Sequence, residues 1–373
     1  MFWLLTSLIF LLIYASLIFF YLTVWTKLHQ HRVSVGIKQK FISVVIPARN
    51  EERNLPLVLD ALSRQTYPKD KFEIIVVDDF STDTTAEIAQ NFPLANLVLL
   101  QPQIDPGHSS KKKAIETAVQ KSKGELIVTT DADCIPQESW LETINDCFVQ
   151  QNATFVAAPV KFAHDNGFLQ LFQSLDFLTL QGITAASVSS GFHMMCNGAN
   201  LAYSKQAFQT VNGFEGIDKV ATGDDMLLMH KIWKRYPEKV VYLKSKEAIV
   251  ESQPMQSWKG FYMQRKRWAS KTLIYDDYKI IFVLAFAFLL NCLFIALVIA
   301  SFFNGSYWWY VAAFWLLKAL IEFPFVYSVS KFYNQQKLVK YLFLFQPLHM
   351  IYTVLVGVAS QFGNYEWKGR RTK

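Results

Sequence analysis

From Phe2 to Val24 the chain carries no charged residue, a run that matches the roughly 20 apolar residues a helix needs to cross a hydrocarbon core. No basic stretch precedes the run and no small-x-small site follows it, so it reads as a retained transmembrane helix rather than a cleaved signal peptide. Lys27, Arg32, Lys38 and Lys40 come next. The positive-inside rule then puts the N-terminus outside and the following segment in the cytoplasm. Composition agrees, since 52% of residues are hydrophobic and 18% are charged, against about 25% charged in soluble domains.

Two further apolar spans, Ile281 to Phe303 and Tyr307 to Val329, are separated only by Asn304, Gly305 and Ser306. This is the pattern of a tight transmembrane hairpin, with Tyr307, Trp308, Trp309 and Tyr310 at the interface. Lys318 and Glu322 lie inside the third span at i,i+4 spacing, so each partly neutralises the other, as a functional polar site or as a structural pair between helices. A last apolar stretch, Tyr341 to Phe362, is interrupted by Gln346, Pro347 and His349. A full crossing there would carry Lys368, Arg370, Arg371 and Lys373 outside, so a re-entrant or strongly tilted segment is expected.

Residues 33–254 read differently. Short Val- and Ile-rich runs at Phe41 to Ile46, Phe72 to Val77, Leu97 to Leu100, Glu125 to Thr130 and Thr154 to Ala158 alternate with helical patterns at Arg53 to Gln65, Thr82 to Asn91, Lys111 to Lys121 and Glu138 to Gln150. Alternation of this kind predicts an α/β domain with a mostly parallel sheet, in which ligands bind beyond the carboxyl ends of the strands. The organisation expected is a transmembrane helix at 1–25, the α/β domain at 33–254, a basic amphipathic interfacial helix at 255–279, a transmembrane hairpin and third span at 280–362, and a basic tail at 363–373. Four cysteines are too few and too scattered for a disulfide framework, and no CxxC pair suggests a zinc site.

The polar clusters sit where strands are predicted to end. Asp131 and Asp133, spaced i,i+2 after a strand, can aim two hard oxygen ligands at one Mg²⁺ or Mn²⁺; Asp is also a common turn former and helix cap. Asp78 and Asp79 carry the same two readings. Lys111, Lys112 and Lys113 open a predicted helix, where the macrodipole opposes cations, so they suit a phosphate or form a solvated basic face. Asp224 and Asp225 precede a helical run; one caps it and leaves the other as a general base, or both cap. Trp258 to Lys271 interleaves Lys259, Arg265, Lys266, Arg267 and Lys271 with Phe261, Tyr262 and Trp268, which suits a membrane interface, a diphosphate or a sugar ring.

Together these segments resemble the inverting, membrane-bound glycosyltransferases of family 2. The matching pieces are Val44 to Glu51, Val76 to Asp83, Asp131-Ala132-Asp133, Cys196 to Asn200, Gly223-Asp224-Asp225 and Gln264-Arg265-Lys266-Arg267-Trp268, in the family's order. The resemblance implies a GT-A fold, a nucleotide-sugar donor of the UDP type and Mg²⁺ or Mn²⁺ as cofactor. Carried across, it assigns Ala48, Glu51 and Asp79 to the uridine, Lys111 to the nucleotide, and Asp131 and Asp133 to the metal and diphosphate. It makes Asp225 the catalytic base, gives Gln264, Arg267 and Trp268 to the diphosphate and acceptor end, and sets Asn197 and Gly198 at the acceptor entrance. Three departures bear on donor choice: Arg49 replaces an aromatic, Phe80 replaces a Gly, and Ser110 stands where a Gly usually precedes the lysine.

The Gln-x-x-Arg-Trp motif occurs both in processive synthases of the cellulose, chitin and hyaluronan type and in ceramide-glucosyltransferase-like enzymes. A polymer tunnel is built from several packed helices, and a hairpin with one broken span undersupplies it. The expectation is transfer of one sugar to a membrane lipid or lipid-linked acceptor at the cytoplasmic face of a bacterial plasma membrane. A small synthase recruiting a partner subunit is the enzymatic alternative, and a non-catalytic scaffold on a degenerate domain is a third. Nucleic acid is not an expected partner: the net charge of +7 gathers at membrane borders and the diphosphate site rather than in one stripe.

Overall fold

The computed structural model describes residues 2–102, 110–163, 165–218, 223–362, 365–367 and 370–372. In chain order the helices are α1 (Phe2–Lys27), α2 (Leu55–Ser63), α3 (Thr85–Asn91), α4 (Ser110–Lys121), α5 (Trp140–Gln150), α6 (Phe168–Ser190), α7 (Lys205–Thr210), α8 (Met226–Arg235), α9 (Trp258–Ala269), α10 (Tyr278–Phe303), α11 (Trp308–Phe332) and α12 (Leu342–Ala359). The strands are β1 (Ile42–Ala48), β2 (Phe72–Asp78), β3 (Leu97–Leu100), β4 (Leu126–Thr129), β5 (Cys134–Pro136), β6 (Phe155–Ala157), β7 (Val160–Phe162), β8 (Leu201–Ser204), β9 (Val240–Tyr242) and β10 (Val250–Ser252). A two-stranded ribbon, β11 (Tyr365–Trp367) with β12 (Arg370–Thr372), ends the chain. The chain divides into two compact units, a helical one of residues 1–28, 164–193 and 254–365, and an α/β one of residues 29–163, 194–253 and 366–373.

The α/β unit is built on a seven-stranded sheet of order β3-β2-β1-β4-β8-β6-β9. Strands β3, β2, β1 and β4 run parallel, with Ala48 opposite Asp78 and Val45 opposite both Ile75 and Thr129. Every residue of β2 and β4 is buried, as are all but one of β1. Helices cover both faces of parallel sheets, so such strands need continuous Val and Ile rather than alternation. β8 pairs antiparallel with β4 and β6. A second sheet of order β5-β10-β7 stands apart from the first.

Helix starts follow local chemistry. The helix expected from Thr82 begins at Thr85, because Asp83 Oδ1 accepts the Thr85 N–H at 3.0 Å and its hydroxyl at 2.5 Å, holding Asp83 and Thr84 in the turn before it. The helix expected from Arg53 begins at Leu55, with Pro56 in its first turn, where a missing N–H costs nothing.

Among the described residues the helical unit contains four helical segments long and apolar enough to cross a membrane: Leu5–Lys27, Tyr278–Phe303, Gly305–Phe332 and Gln336–Ala359. Leu11, Leu290, Phe294, Leu297, Val311, Phe314 and Met350 pack α1, α10, α11 and α12 around one core, while Leu12, Phe19, Phe282 and Phe302 point outward. Outward apolar bands of this size suit lipid rather than water. α12 runs unbroken through Pro347, so the polar residues expected to interrupt it lie within one helix.

Those residues have interior partners. Gln346 accepts from Lys318 Nζ at 3.0 Å and donates to Glu322, which also pairs with Lys318 and accepts the Tyr14 hydroxyl at 2.6 Å. The Lys318–Glu322 pair is therefore closed by α1 and α12 into a network that satisfies its charges inside the helices. α6 belongs to this unit too, although the sequence pattern carries 33–254 as one domain. Its single charge in 23 residues and its long buried face explain the difference. Gly182 lets α6 approach α11, since a Cβ there would lie 2.4 Å from Val329 Cγ2.

Candidate active site

Register puts three strand ends of the α/β unit on one rim. The Asp79 N–H donates to the Ala48 carbonyl at 2.8 Å, extending the β1–β2 ladder into the loops, and the Thr130 N–H reaches the Val45 carbonyl at 3.3 Å. The residues that follow β1, β2 and β4 are therefore neighbours. Cross-bonds then bind the first two loops together: the Asn50 N–H donates to Ser81 Oγ at 3.0 Å, the Thr82 N–H to Asn50 Oδ1 at 2.8 Å, and Arg49 Nη1 to the Asp79 carbonyl at 2.7 Å. Arg49, one of the departures in the sequence, is a strut between loops.

Ala48, Glu51 and Asp79 are all buried at this rim. Glu51 accepts from Asn54 Nδ2 at 2.7 Å, and its own N–H donates to Thr85 Oγ1 at 2.8 Å. Asn50 and Phe80 have φ of 53° and 55°, the left-handed region that disfavours a Cβ and strongly disfavours bulk. A glycine would be unstrained at position 80. This chain holds Phe there instead, with the loop cross-bonds to over-determine the backbone.

Lys111, in the first turn of α4, reaches across the rim. Its Nζ lies 2.7 Å from Asp131 Oδ1 and 3.2 Å from Asp224 Oδ2. Burial alone would lower the pKa of this ammonium, and the carboxylates of Asp131, Asp224 and Asp225 instead hold it well above the usual lysine range. A lysine near a helix N-terminus is unfavourable to the helix; here three carboxylates account for it.

Asp225 is the N-cap of α8. Its Oδ1 accepts the Met226 N–H at 2.7 Å and its Oδ2 accepts the Gly198 N–H at 3.0 Å. A Cβ on Gly198 would stand 3.5 Å from Asp225 Oδ2 and 3.6 Å from Lys111 Nζ, so this residue lies between base candidate and cation. Asn197 shapes that turn, its Oδ1 accepting the Ala199 N–H at 3.0 Å, and Thr130 Oγ1 ties the turn to the rim through the Ala199 carbonyl at 2.9 Å. Of the two adjacent carboxylates, Asp225 caps and Asp224 pairs with Lys111. Asp224 thus joins the candidate site with a role that the sequence left open, and only the fold brings Lys111 to it. Thr222 lies outside the described residues, as do the side chains of Ser110 and the tail.

Asp131, Asp133 and Cys134 bring one ligand atom each within 4.8 Å of one another. Burial and the flanking Asp133 and Asp131 push the Cys134 thiol well up, and a soft sulfur is a poor match for a hard divalent ion, so the carboxylate oxygens are the better donors. Two half-exposed carboxylates, of which Asp131 already holds the Lys111 ammonium, fit a hard divalent ion such as Mg²⁺ or Mn²⁺.

Gln264, Arg267 and Trp268 are on α9 of the helical unit. There the most buried motif residue is one that sequence reasoning passed over as part of a basic face. Arg265 is 4% exposed, pairs through Nη2 with Asp176 Oδ2 at 2.8 Å, and lies 4.3 Å over the Trp268 ring. The Trp268 face is therefore occupied by an arginine of its own helix. A lone Asp in the otherwise uncharged α6 was the available signal.

Three comparisons bear on the whole. The profile of the family described as "Glycosyltransferase like family 2" matches residues 39–271. Glycosyltransferase AglE of Haloferax volcanii is 37% identical over 129 residues, 34% of this chain and 41% of that protein. Dolichyl-phosphate beta-glucosyltransferase ALG5A of Trichomonas vaginalis is 36% identical over 101 residues, 25% of this chain and 30% of that protein. The chain thus spans less than half the length of these two curated relatives. The solved structure of mannosyltransferase PcManGT from Pyrobaculum calidifontis, in complex with GDP-Man and Mn²⁺, aligns with a TM-score of 0.58 at 17% identity, over 96% of this chain and 97% of that one. At that identity the likeness is one of fold.

Proposed function

The chain belongs to glycosyltransferase family 2 and has the GT-A fold, and from that premise we propose that it transfers one sugar from a nucleotide-sugar, of the UDP type, to a lipid-linked acceptor in the membrane. The observation that carries this reading is the Lys111 ammonium held between Asp131 and Asp224, with Asp225 beside it on the Gly198 N–H. Cation, paired carboxylates and a separately held carboxylate at one strand-end rim are the parts that a direct displacement at an anomeric carbon requires.

In this reading Ala48, Glu51 and Asp79 line the base and ribose, and Lys111 balances diphosphate charge as a compact ammonium. Asp131 and Asp133 hold Mg²⁺ or Mn²⁺, which when bound offsets charge on the leaving group. Asp225 takes the proton from the acceptor hydroxyl as it attacks opposite the diphosphate. Each of its oxygens can accept two hydrogen bonds, so the two backbone N–H donors orient the carboxylate and leave lone pairs for the hydroxyl. Asn197 and Gly198 border the acceptor, and Gln264, Arg267 and Trp268 serve the diphosphate and acceptor end.

A lipid-linked acceptor is favoured by the four membrane-length helical segments and by the similarity to a dolichyl-phosphate glucosyltransferase. We set the α/β unit at the cytoplasmic face, from the Lys and Arg that follow α1, and take the fourth apolar segment, one unbroken helix, as strongly tilted with the basic tail on the cytoplasmic side. Cysteine accessibility at Ser360 and Thr372 in right-side-out vesicles tests that topology, because a labelled tail defeats it.

The test of function uses the full chain in lipid nanodiscs containing polyprenyl phosphate, a panel of labelled UDP- and GDP-sugars, and Mn²⁺ or Mg²⁺. Label in the organic phase, lost in Asp225→Asn, is the expected result. Aqueous, glycosidase-sensitive polymer would transfer the assignment to a processive synthase, and failure of every donor to turn over or bind would overturn the enzymatic reading.

A further inference from the structure

Within the helical unit, one carboxylate joins three helices. Asp176, the single charge on α6, accepts the Tyr352 hydroxyl at 2.8 Å through Oδ1, lies 3.1 Å from His349 Nδ1 through the same oxygen, and pairs with Arg265 Nη2 at 2.8 Å through Oδ2. Tyr352 and His349 are three residues apart on α12 and Arg265 is on α9. Burial would push the Asp176 carboxyl up, yet Arg265, His349 and Tyr352 hold it below the ordinary carboxylate range, so it is an anion.

Arg265 occupies the middle of the buried stripe of α9. Phe261 is four residues before it and Trp268 three after, the spacing of one helix face, and their rings lie 5.1 and 4.3 Å from the guanidinium carbon. Nε, Nη1 and Nη2 of Arg265 and Oδ2 of Asp176 make no hydrogen bond of good geometry among the described residues, so the 2.8 Å contact is an ion pair. A site selected for stability alone would hold apolar side chains, because replacing a buried ion pair by well-packed hydrophobic residues is often neutral or stabilising. An ion pair, unlike apolar packing, singles out one rotation of the helix that carries it. At about 100° per residue, turning Arg265 inward sends Arg267 to a different face of α9, while Trp268 is fixed against the guanidinium.

We propose that Asp176 and Arg265 are positioning residues: their ion pair locks α9 against α6 and α12 in the rotation that presents Arg267 and Trp268 for the transfer reaction. His349 and Tyr352 complete the lock by orienting the carboxylate. The inference rests on the glycosyl-transfer reading, and it is tested by two kinds of measurement so that the two can fail separately.

Full-length protein in nanodiscs is compared with Asp176→Asn, Arg265→Lys, Arg265→Met and the double variant Asp176→Leu/Arg265→Met. Hydrogen exchange of residues 258–269 reads the lock without any turnover. Exchange should quicken at least tenfold in Asp176→Asn and Arg265→Met, with Arg265→Lys between them and wild type. Steady-state kinetics then read positioning. The double variant should recover the wild-type melting temperature while kcat stays at least tenfold down and donor KM moves less than threefold. A merely structural pair predicts that kcat returns with stability, and that result overturns the proposal. So does wild-type exchange in the single variants. If the wild type transfers no sugar at all, the functional reading fails, while the exchange data still decide whether the lock exists; if a single variant fails to fold, the double variant and Arg265→Lys carry the test.

Discussion

The backbone N–H of Gly198 donates to Asp225 Oδ2 at 3.0 Å while the Met226 N–H donates to Oδ1 of the same carboxylate at 2.7 Å. Two backbone donors from two different segments thus fix the plane of the one carboxylate assigned as base. Asp225→Asn keeps the shape and turns an amide N–H₂ toward one of those donors. Turnover should fall by about 10²–10⁴-fold, the range for loss of a general base, with nucleotide-sugar Kd unchanged within threefold by calorimetry. A variant that turns over normally removes Asp225 from that role.

Lys111→Met should act in opposite directions on two ligands. Without the ammonium competing for Asp131, a divalent ion on Asp131 and Asp133 binds the free protein more tightly. The nucleotide diphosphate loses a charge-assisted contact of roughly 1.5–3 kcal/mol, about 10- to 100-fold in Kd. Metal and nucleotide titrations of the two proteins measure both signs, and a parallel weakening of both would show that Lys111 serves the fold rather than the ligands.

Phe80, at φ 55°, should respond to backbone preference rather than to size. The left-handed conformation costs an L-residue about 1–2 kcal/mol, more for a β-branched one. Phe80→Val is expected to destabilise the α/β unit by about 2 kcal/mol, whereas Phe80→Gly stays within about 1 kcal/mol of wild type. Thermal melts of the detergent-solubilised chain order the three, and Val melting above Gly would contradict the argument.

Glu322→Gln leaves the Lys318 charge buried beside Gln346 and Tyr14 with no anion. Breaking one partner of a buried pair costs about 3–5 kcal/mol, and the double variant Lys318→Met/Glu322→Leu should recover most of it. Unfolding in mixed micelles measures the difference, which would be absent if the network contributed nothing to helix association.

Much of the candidate site was legible because its parts are local. Asp131 with Asp133 and the turn after β2 are each set by residues next to one another, and a strand followed by a polar turn announces a rim. Asp224 was visible as half of a pair but not assignable, since choosing between capping and pairing depends on a lysine more than a hundred residues away. The buried roles of Arg265 and Asp176 were hidden for a related reason. On a basic, aromatic helix every arginine looks alike until a partner helix supplies a carboxylate.

Hydrophobic length, periodicity and turn chemistry act over a few residues, so the apolar helices of membrane length, the alternating strands and the family's motifs could be read from the chain alone. Tertiary structure decided which polar groups meet: Lys111 with Asp224, Lys318 and Glu322 with Gln346, Asp176 with Arg265. Those pairings are set by strand register and helix packing, in which residues distant along the chain become neighbours because apolar faces must be buried together. The charges in between are left with whatever partners that packing delivers.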